Sequence, residues 1–300
     1  MQVAKSTILE EPACAAKHVL ARAVAEDAQG RCIGKAKNYP APDVNQTGFL
    51  QERCRQVRQS ARDLVLGSTL PGGSDIQEIA LTFDDGPNDP YTQRLLELLA
   101  RYQVRATFFL IGSFVRRRPE IARAILQGGH LLGNHTMTHP SLLWQRPARV
   151  REELAGCNAA IEDATGETVR WFRPPFGARR RDVLRTAREL GLTPVLWNAW
   201  GHDWDAVQPQ EVTTLVQEGI YRNQRRHSSS NVLLHDGGHA QLGTDRSVTL
   251  AATNSLLEVW RSSTLRLVTL DAWGPLRTPP PWPLACPRDA EGKLSHNVNV

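Results

Sequence analysis

The sequence of 300 residues lacks any apolar run close to the ~20 residues that a membrane-spanning helix needs. It also lacks a C-x-x-C pair, which argues against a zinc site built from thiolates. Its 5 cysteines are odd in number, so at least one thiol stays free or pairs with another chain. One disulfide is possible among the three N-terminal cysteines, Cys14, Cys32 and Cys54.

The N-terminus as written also lacks a secretory signal. Glu10 and Glu11 interrupt its start, and no apolar core of about 7–15 residues follows Lys5. We therefore expect a cytoplasmic chain or one cut from a longer precursor, and the compartment stays open.

Charge of one sign is not in large excess. Charged residues make up 22% and apolar residues 41% of the chain, as in ordinary globular proteins and unlike disordered, collagen-like or coiled-coil chains. The formal net charge of +5 would favour an acidic polymer or an anionic surface, but it is too weak to indicate nucleic acid. We expect a globular protein with no nucleic-acid partner and no membrane span.

Three regions differ in pattern along the chain. Residues 1–76 form an N-terminal extension with helices predicted over 13–28 and 50–66, and it ends in a Pro-Gly-Gly-Ser break. Over 77–272, short apolar strands alternate with helices about seven times, which predicts a parallel sheet covered on both faces. That number of units fits a nearly closed barrel better than an open sheet. Residues 273–300 are a proline-rich tail.

The strands and helices of the central region are predicted from apolar runs and helical spacing. The predicted strands are 79–83, 106–111, 130–133, 169–172, 194–197, 232–234 and 266–270. The predicted helices are 91–102, 119–126, 149–164, 181–190, 209–221 and 247–260. Polar residues cluster just after the strands, where a parallel α/β architecture carries its active site.

Two adjacent carboxylates, Asp84 and Asp85, end the first predicted strand, and Gly86-Pro87 turns the chain at once. Like charges at the edge of a core repel each other, so a cation or a proton must offset them. A metal bound by one carboxylate, with the other left as a base, would resolve the repulsion. An Asp-Gly turn with a helix cap explains the pair equally well.

Two histidines, His135 and His139, are four residues apart. On a helical turn their side chains would share one face and could meet one ion. The zinc-protease pattern H-E-x-x-H is excluded because Thr136 occupies the position of its glutamate. Two histidines and an aspartate would leave a coordination position for water, as a catalytic zinc does. Taken alone, a pair of surface histidines is the simpler interpretation.

Three further segments follow strand ends. Arg173 precedes a double proline that fixes an extended backbone, and a fixed guanidinium lowers the pKa of a nearby carboxylate. Trp197, Trp200 and Trp204 are either core residues or the wall of a sugar site. His235 ends an apolar strand, where a histidine can donate a proton. Taken alone, a rigid surface turn is the favoured explanation for Arg173 and a core histidine for His235, whereas the tryptophans fit a core and a sugar site equally well.

Together, and in this order, the segments resemble the polysaccharide deacetylase family, the NodB-like carbohydrate esterases of family four. The family pattern runs T-F-D-D-G-P, H-[ST]-x-x-H, R-P-P-[YF]-G, D-x-x-D-W and L-x-H. The chain matches it at 82–87, 135–139, 173–177, 203–204 and 233–235. The resemblance covers about 77–272. It implies an α/β fold, a distorted (β/α) barrel of about seven parallel strands, here following the N-terminal helical extension.

The resemblance implies a metal centre and an acid–base pair. Asp85, His135 and His139 would ligate one divalent metal, most commonly zinc, with cobalt, nickel or iron as alternatives. Asp84 would be the general base, and His235 would be the general acid that protonates the leaving amine.

The resemblance also implies supporting residues and a substrate. Arg173 would orient the base, and Asp203 would tune the acid. The backbone N–H of Phe176 would hold the oxyanion, and Trp204 would contact the substrate. The reaction would remove N-acetyl groups from a polysaccharide of N-acetylglucosamine type, such as peptidoglycan or a chitin-like glycan, and release acetate.

The chain departs from the family pattern at Trp200, where aspartate is usual, and this affects substrate contacts more than metal chemistry. His202 and His239 are extra histidines near the site, and we expect them to be bystanders. Two alternative functions are a deformylase or amidase of the same fold acting on a small or lipid-linked substrate, and a catalytically silent carbohydrate-binding protein. The silent protein is disfavoured because a binder needs neither a base nor an acid.

Overall fold

The computed structural model describes residue 69 and residues 72–274. The predicted N-terminal helices, the three N-terminal cysteines and the tail beyond residue 274 lie outside the described residues. Among the described helices, none combines the length and the apolar character needed to cross a membrane. Cys157 is a free thiol and is buried.

Strands and helices alternate along the described residues. The strands are β1 (Glu78–Gly86), β2 (Thr107–Leu110), β3 (Leu131–Asn134), β4 (Trp171–Phe172), β5 (Thr193–Pro194), β6 (Ala199–Trp200), β7 (Ser230–His235) and β8 (Arg266–Val268). The helices are α1 (Tyr91–Arg101), α2 (Gly112–Arg117), α3 (Pro119–Gln127), α4 (Pro147–Thr165), α5 (Arg181–Glu189), α6 (Pro209–Gln224) and α7 (Ser247–Arg261). Short 3-10 turns occur at Pro175–Gly177 and Leu270–Ala272.

The strands form one parallel sheet in the order β5-β4-β3-β2-β1-β7-β6. β8 pairs with the first residues of β1, on the edge that β2 occupies further along the strand. The strands from β5 to β6 curl into an incomplete barrel covered by helices. The expected distorted (β/α) barrel of about seven parallel strands is therefore confirmed.

The central strand β1 is buried on both faces because nearly all its residues are apolar or paired. Side chains alternate along a strand, and the odd positions of β1 pack with helix residues in the main apolar cluster. The even positions, Ala80, Thr82 and Asp84, line the concave side. Ala80 packs there with Phe109 and Trp171. The side chains of β1 on the concave side thus change from apolar at Ala80 to a carboxylate at Asp84, at the carboxyl end of the strand.

Helix boundaries follow the signals in the sequence. Pro119, Pro147 and Pro209 begin α3, α4 and α6, where the missing proline N–H costs no hydrogen bond. Gly166 closes α4 with a φ of 76°, the left-handed conformation that favours glycine. Gly191, with a φ of 74°, follows α5.

Two elements differ from the predicted pattern. Helix α2 was not predicted, because six residues are too few to show a helical period. The predicted strand 194–197 is only the two-residue β5, and a separate two-residue strand, β6, follows it. Strands this short are defined by their pairing in the sheet, which the local sequence does not encode.

The parallel arrangement brings the carboxyl ends of the strands to one edge of the sheet. Asp84 and Asp85 lie at the end of β1, and the chain leaves β3 just before His135 and β4 just before Arg173. Asp203 follows β6, and His235 ends β7. Residues that are far apart in sequence therefore meet at this edge.

Candidate active site

Both carboxylates at the end of β1 face the same histidine. In a regular strand successive side chains point to opposite faces, but β1 changes register between Asp84 and Gly86, and Asp85 has a φ of 72°. As a result, His135 Nε2 lies 3.7 Å from Asp84 Oδ2 and 3.4 Å from Asp85 Oδ1. Both aspartates are buried. The strand irregularity is what brings the two carboxyl groups to one site.

The loop that carries His135 and His139 is not helical, so the two imidazoles do not meet by way of a shared helix face. Thr136 and His139 have φ values of 69° and 57°. Asn134 Oδ1 accepts a hydrogen bond from the Thr136 N–H at 2.8 Å, and Thr136 Oγ1 accepts one from the His139 N–H at 3.0 Å. These side-chain bonds hold a strained loop in which the two imidazole rings lie 4.8 Å apart.

Glu153 on α4 is a buried carboxylate that sequence reasoning missed. It accepts hydrogen bonds from the Thr138 N–H at 2.8 Å and from Thr138 Oγ1 at 2.6 Å, and Arg149 pairs with it. The signal that could have revealed it is a charged residue beside the apolar positions Val150 and Leu154 of the helix. Glu153 fixes the histidine loop from behind.

Asp85, His135 and His139 fit a divalent cation. His135 Nε2 and His139 Nε2 lie 3.4 Å and 3.2 Å from Asp85 Oδ1. Ligand atoms about 2.0–2.2 Å from a tetrahedral zinc are separated by about 3.3–3.6 Å, so these distances match edges of such a tetrahedron. Asp85 Oδ1 is buried without a hydrogen-bond partner. Among the described residues, these three form the group of ligand atoms close enough to share an ion.

The protonation states of this group suit metal binding. Burial and the neighbouring His135 lower the pKa of His139 to about 3, against the opposite effect of Asp85, so its imidazole is neutral at neutral pH. Burial raises the pKa of Asp85, but the side chains of His135 and His239 together lower it well below its usual value. His135 Nδ1 lies 2.7 Å from the Arg173 carbonyl oxygen and can donate a hydrogen bond to it. Nε2 is then the nitrogen with a lone pair that can bind a metal.

Arg173 is completely buried and holds Asp84. Its NH1 group donates to Asp84 Oδ1 at 2.8 Å and to Thr82 Oγ1 at 2.8 Å. Its guanidinium lies over the Phe109 ring, 4.2 Å from the centroid. Charge pairing and ring contact together fix one oxygen of Asp84 and leave the other facing His135.

His235 is paired with Asp203 at the end of β7. His235 Nδ1 lies 2.9 Å from Asp203 Oδ1, and the His235 N–H donates to Asp203 Oδ2 at 2.8 Å. Thr249 on α7 donates its hydroxyl to Asp203 Oδ2 at 2.7 Å. Burial lowers the pKa of His235, but the Asp203 carboxylate outweighs it and raises the pKa to about 9. His235 is therefore protonated at neutral pH.

Aromatic rings surround these groups on two sides. Phe176, in a left-handed conformation with φ of 58°, exposes its ring beside His139 at 4.8 Å. On the other side, Trp204 is 42% exposed, and its ring stands perpendicular to His235 at 5.2 Å. His202 lies against Trp204, with its ring centroid 4.9 Å away. The two sets of rings form walls on either side of the polar centre.

The structure brings all nine predicted site residues to one edge of the sheet. Of the two histidines expected to be bystanders, His202 receives a hydrogen bond from Trp200 Nε1 at 2.6 Å and belongs to the tryptophan wall. His239 lies closer to the centre, with Nδ1 3.8 Å from Asp85 Oδ2.

Comparisons with known proteins agree with this fold and site. The family described as polysaccharide deacetylase matches residues 72–195. A chitooligosaccharide deacetylase of Bradyrhizobium sp. is 37% identical over 181 residues, which cover 60% of this chain and 79% of that protein. A peptidoglycan-N-acetylglucosamine deacetylase of Bacillus cereus is 36% identical over 194 residues, which cover 64% and 85%. The chain belongs to the polysaccharide deacetylase family.

A solved structure with the same fold is a family-four carbohydrate esterase pseudoenzyme from Bacillus anthracis. It has a TM-score of 0.60 and 27% sequence identity, and the match covers 69% of each chain. The fold alone therefore does not determine activity, and the residues at the site do. Family and relatives define the chain as an enzyme, a hydrolase of the polysaccharide deacetylase type with a NodB-like domain.

Proposed function

We propose that the chain hydrolyses N-acetyl groups on N-acetylglucosamine units of a glycan, in a reaction that depends on one divalent metal, zinc in the first place. The observation that carries the proposal is that His135 and the neutral His139 each place Nε2 within 3.4 Å of one buried oxygen of Asp85. The arginine-held carboxylate of Asp84 and the protonated imidazole of His235 lie beside them. The names of the relatives support N-acetylglucosamine as the substrate unit.

Asp85, His135 and His139 would hold the cation. When bound, such an ion polarises a carbonyl group and makes water more acidic. Three protein ligands would leave a coordination position open, as in catalytic zinc sites. Cobalt, nickel and iron are the alternatives that the same donor set accepts.

Asp84 would take the proton from the attacking water. Arg173 holds one carboxylate oxygen at 2.8 Å, so the other oxygen keeps a fixed direction towards the site. A positioned base of this kind contributes roughly 10²- to 10⁴-fold in rate. The water oxygen adds to the acetyl carbonyl carbon as its proton passes to Asp84.

His235 would donate a proton to the amide nitrogen as the C–N bond breaks. The products are acetate and a free amino sugar. The raised pKa of about 9 keeps His235 in its acid form at neutral pH, and Asp203 keeps Nδ1 occupied so that Nε2 is the atom that donates.

The rings at the rim would receive the sugar. The backbone N–H of Phe176 would donate to the oxyanion that forms at the carbonyl oxygen, a contribution on the order of 3 kcal/mol. Trp204 would stack against the sugar ring beside His235.

The proposal is tested by incubating the protein with a panel of acylated glycans and measuring the acid released. N-acetylated chito-oligosaccharides and N-acetylated peptidoglycan should yield acetate. N-formylated and N-acetylated small amides are the control substrates. Release of formate from these amides with no acetate from either glycan would favour the deformylase or amidase. No acid from any substrate at full metal loading would favour the silent carbohydrate-binding protein.

A further inference from the structure

The two carboxylate oxygens of Asp85 face different histidines. Oδ1 lies 3.4 Å from His135 Nε2 and 3.2 Å from His139 Nε2, which makes it the oxygen directed at the candidate cation. Oδ2 faces away from this pair and lies 3.8 Å from His239 Nδ1. The second oxygen of the candidate ligand therefore has its own histidine.

The loop after β7 is shaped to bring His239 to this position. A Cβ atom on Gly237 would lie 2.0 Å from the Asp85 carbonyl oxygen, so only glycine permits this close approach. Arg246 Nε donates to the Gly237 carbonyl oxygen at 2.7 Å and holds the loop from the other side. The backbone that precedes His239 is thus packed directly against the backbone of Asp85.

The ring of His239 is also placed by stacking. It lies nearly parallel to the ring of His139, with centroids 4.7 Å apart and an interplanar angle of 18°, and the edge of Phe176 approaches it at 5.6 Å. The ring of His239 therefore contacts two other rings and lies beside a carboxylate, so its orientation is restricted more than that of an isolated surface histidine. The side chain is nevertheless half exposed, so packing does not enclose the ring on every side.

We propose that His239 is a positioning residue for the metal site, which rests on the proposed function. Its Nδ1–H donates to Asp85 Oδ2 and so keeps Oδ1 turned towards the cation. The observed 3.8 Å exceeds an N–H···O hydrogen bond by about 0.8 Å, so the proposal requires the ring to move by that distance towards Asp85. Hydrogen bonds to ligating carboxylates of this kind strengthen metal binding about 10- to 100-fold.

His239 is not assigned as a fourth ligand. Its Nδ1 faces Oδ2, whereas the atoms close enough to share one ion, within the described residues, belong to Asp85, His135 and His139. A fourth protein ligand would also fill the coordination position that the reaction needs.

Two substitutions separate the hydrogen bond from the ring stacking. H239N keeps a donor nitrogen near the position of Nδ1 but removes the aromatic ring. H239F keeps a ring over His139 but removes the donor. Zinc affinity is measured on the full chain by competition with a chromophoric chelator, and the absorption spectrum of the cobalt-substituted protein reports the ligand set.

We expect H239F to bind zinc about 10- to 100-fold more weakly than the unmodified chain, and H239N to stay within about 3-fold of it. The cobalt spectrum should keep its band positions in both variants. Unchanged zinc affinity in H239F would overturn the inference, and so would an equal loss in H239N. A changed cobalt spectrum in both variants would also overturn it, because it would make His239 a ligand. If the unmodified chain bound neither zinc nor cobalt, nickel or iron, the proposed function itself would fail.

Discussion

Asp84 and Asp85 are adjacent in the chain, yet their environments differ. Asp84 is held by the Arg173 guanidinium at 2.8 Å. One buried oxygen of Asp85 has no hydrogen-bond partner and faces the imidazoles of His135 and His139. One carboxylate is therefore neutralised by a fixed cation of the protein, whereas the other has no such partner. This difference supports the proposal that Asp84 is the base and Asp85 a metal ligand.

D84N should remove nearly all turnover and keep metal binding. An amide cannot take up the proton of water, so we expect acetate release to fall roughly 10²- to 10⁴-fold. Zinc affinity should change by no more than a few fold, because His135, His139 and Asp85 are intact. Thermal melting controls for the loss of charge opposite the buried Arg173. Acetate release close to the unmodified rate would contradict the assignment of the base.

D203N should move the alkaline limb of the pH–rate profile to lower pH. His235 acts as an acid only while protonated, so activity is present below its pKa and is lost as pH rises through it. Asp203 raises that pKa to about 9, and removing its charge leaves burial, which lowers the pKa. The control is T249V, which removes a neutral hydrogen bond to Asp203 and keeps the charge. If the alkaline limb of D203N did not shift, the assignment of His235 as the proton donor would be contradicted.

At the scale of elements, the histidine loop shows where sequence reasoning ends. The spacing of His135 and His139 predicts one shared face, and the structure brings both rings to Asp85. The loop conformation that does this could not be predicted. Thr136 and His139 have positive φ values although neither is glycine, and nothing in the local sequence signals this. Asn134 and Glu153 hold the loop through hydrogen bonds. One partner of Glu153 is a backbone N–H, and a sequence motif specifies side chains but not backbone contacts.

E153A should loosen the histidine loop. Two hydrogen bonds from Thr138 to a buried carboxylate are worth roughly 3 kcal/mol together, which lowers the melting temperature by about 6–12 °C. Zinc affinity should fall as well, because His139 directly follows Thr138. E152A, an exposed glutamate on the same helix, is the matched control and should change neither quantity. An E153A variant that melts early but binds zinc normally would limit Glu153 to a structural role.

On the scale of the whole molecule, the two ends of the described chain bond to β1, to β8 and to the residue before β7. Ser229 Oγ donates to the Gly73 carbonyl oxygen at 2.8 Å, and Trp273 Nε1 donates to Glu78 Oε2 at 2.8 Å. Asp75 pairs with an arginine of β8 at 2.7 Å. The predicted domain of 77–272 would cut through these contacts.

A fragment of residues 72–274 should therefore be more stable than a fragment of 77–272. Three of the hydrogen bonds that only the longer fragment keeps are those just described, and at about 1 kcal/mol each they predict that the shorter fragment melts about 6–12 °C lower. Circular dichroism of both fragments measures the difference, and acetate release by the longer fragment, compared with the full chain, is the control for an intact site. Equal melting temperatures would return the boundary to 77–272.

The fold was predictable where strands are long and buried on both faces. The apolar runs of β1, β2 and β7 locate these strands to within a few residues, whereas β4, β5 and β6 are two residues each and depend on sheet pairing. Residues in motifs could be named as candidates because metal and proton chemistry restrict residue type. Glu153 was not identified, and His239 was expected to be a bystander, because their contacts depend on positions in space. Glu153 bonds to a backbone N–H, and His239 approaches Asp85 through the loop after β7.

The most direct test of the account is the rate of acetate release from an N-acetylated chito-oligosaccharide before chelation, after removal of metal, and after adding zinc back. The account predicts that the rate falls to background without metal and returns in proportion to zinc, up to one ion per chain, because Asp85, His135 and His139 form one site. A metal-free protein that releases acetate at the original rate would contradict it.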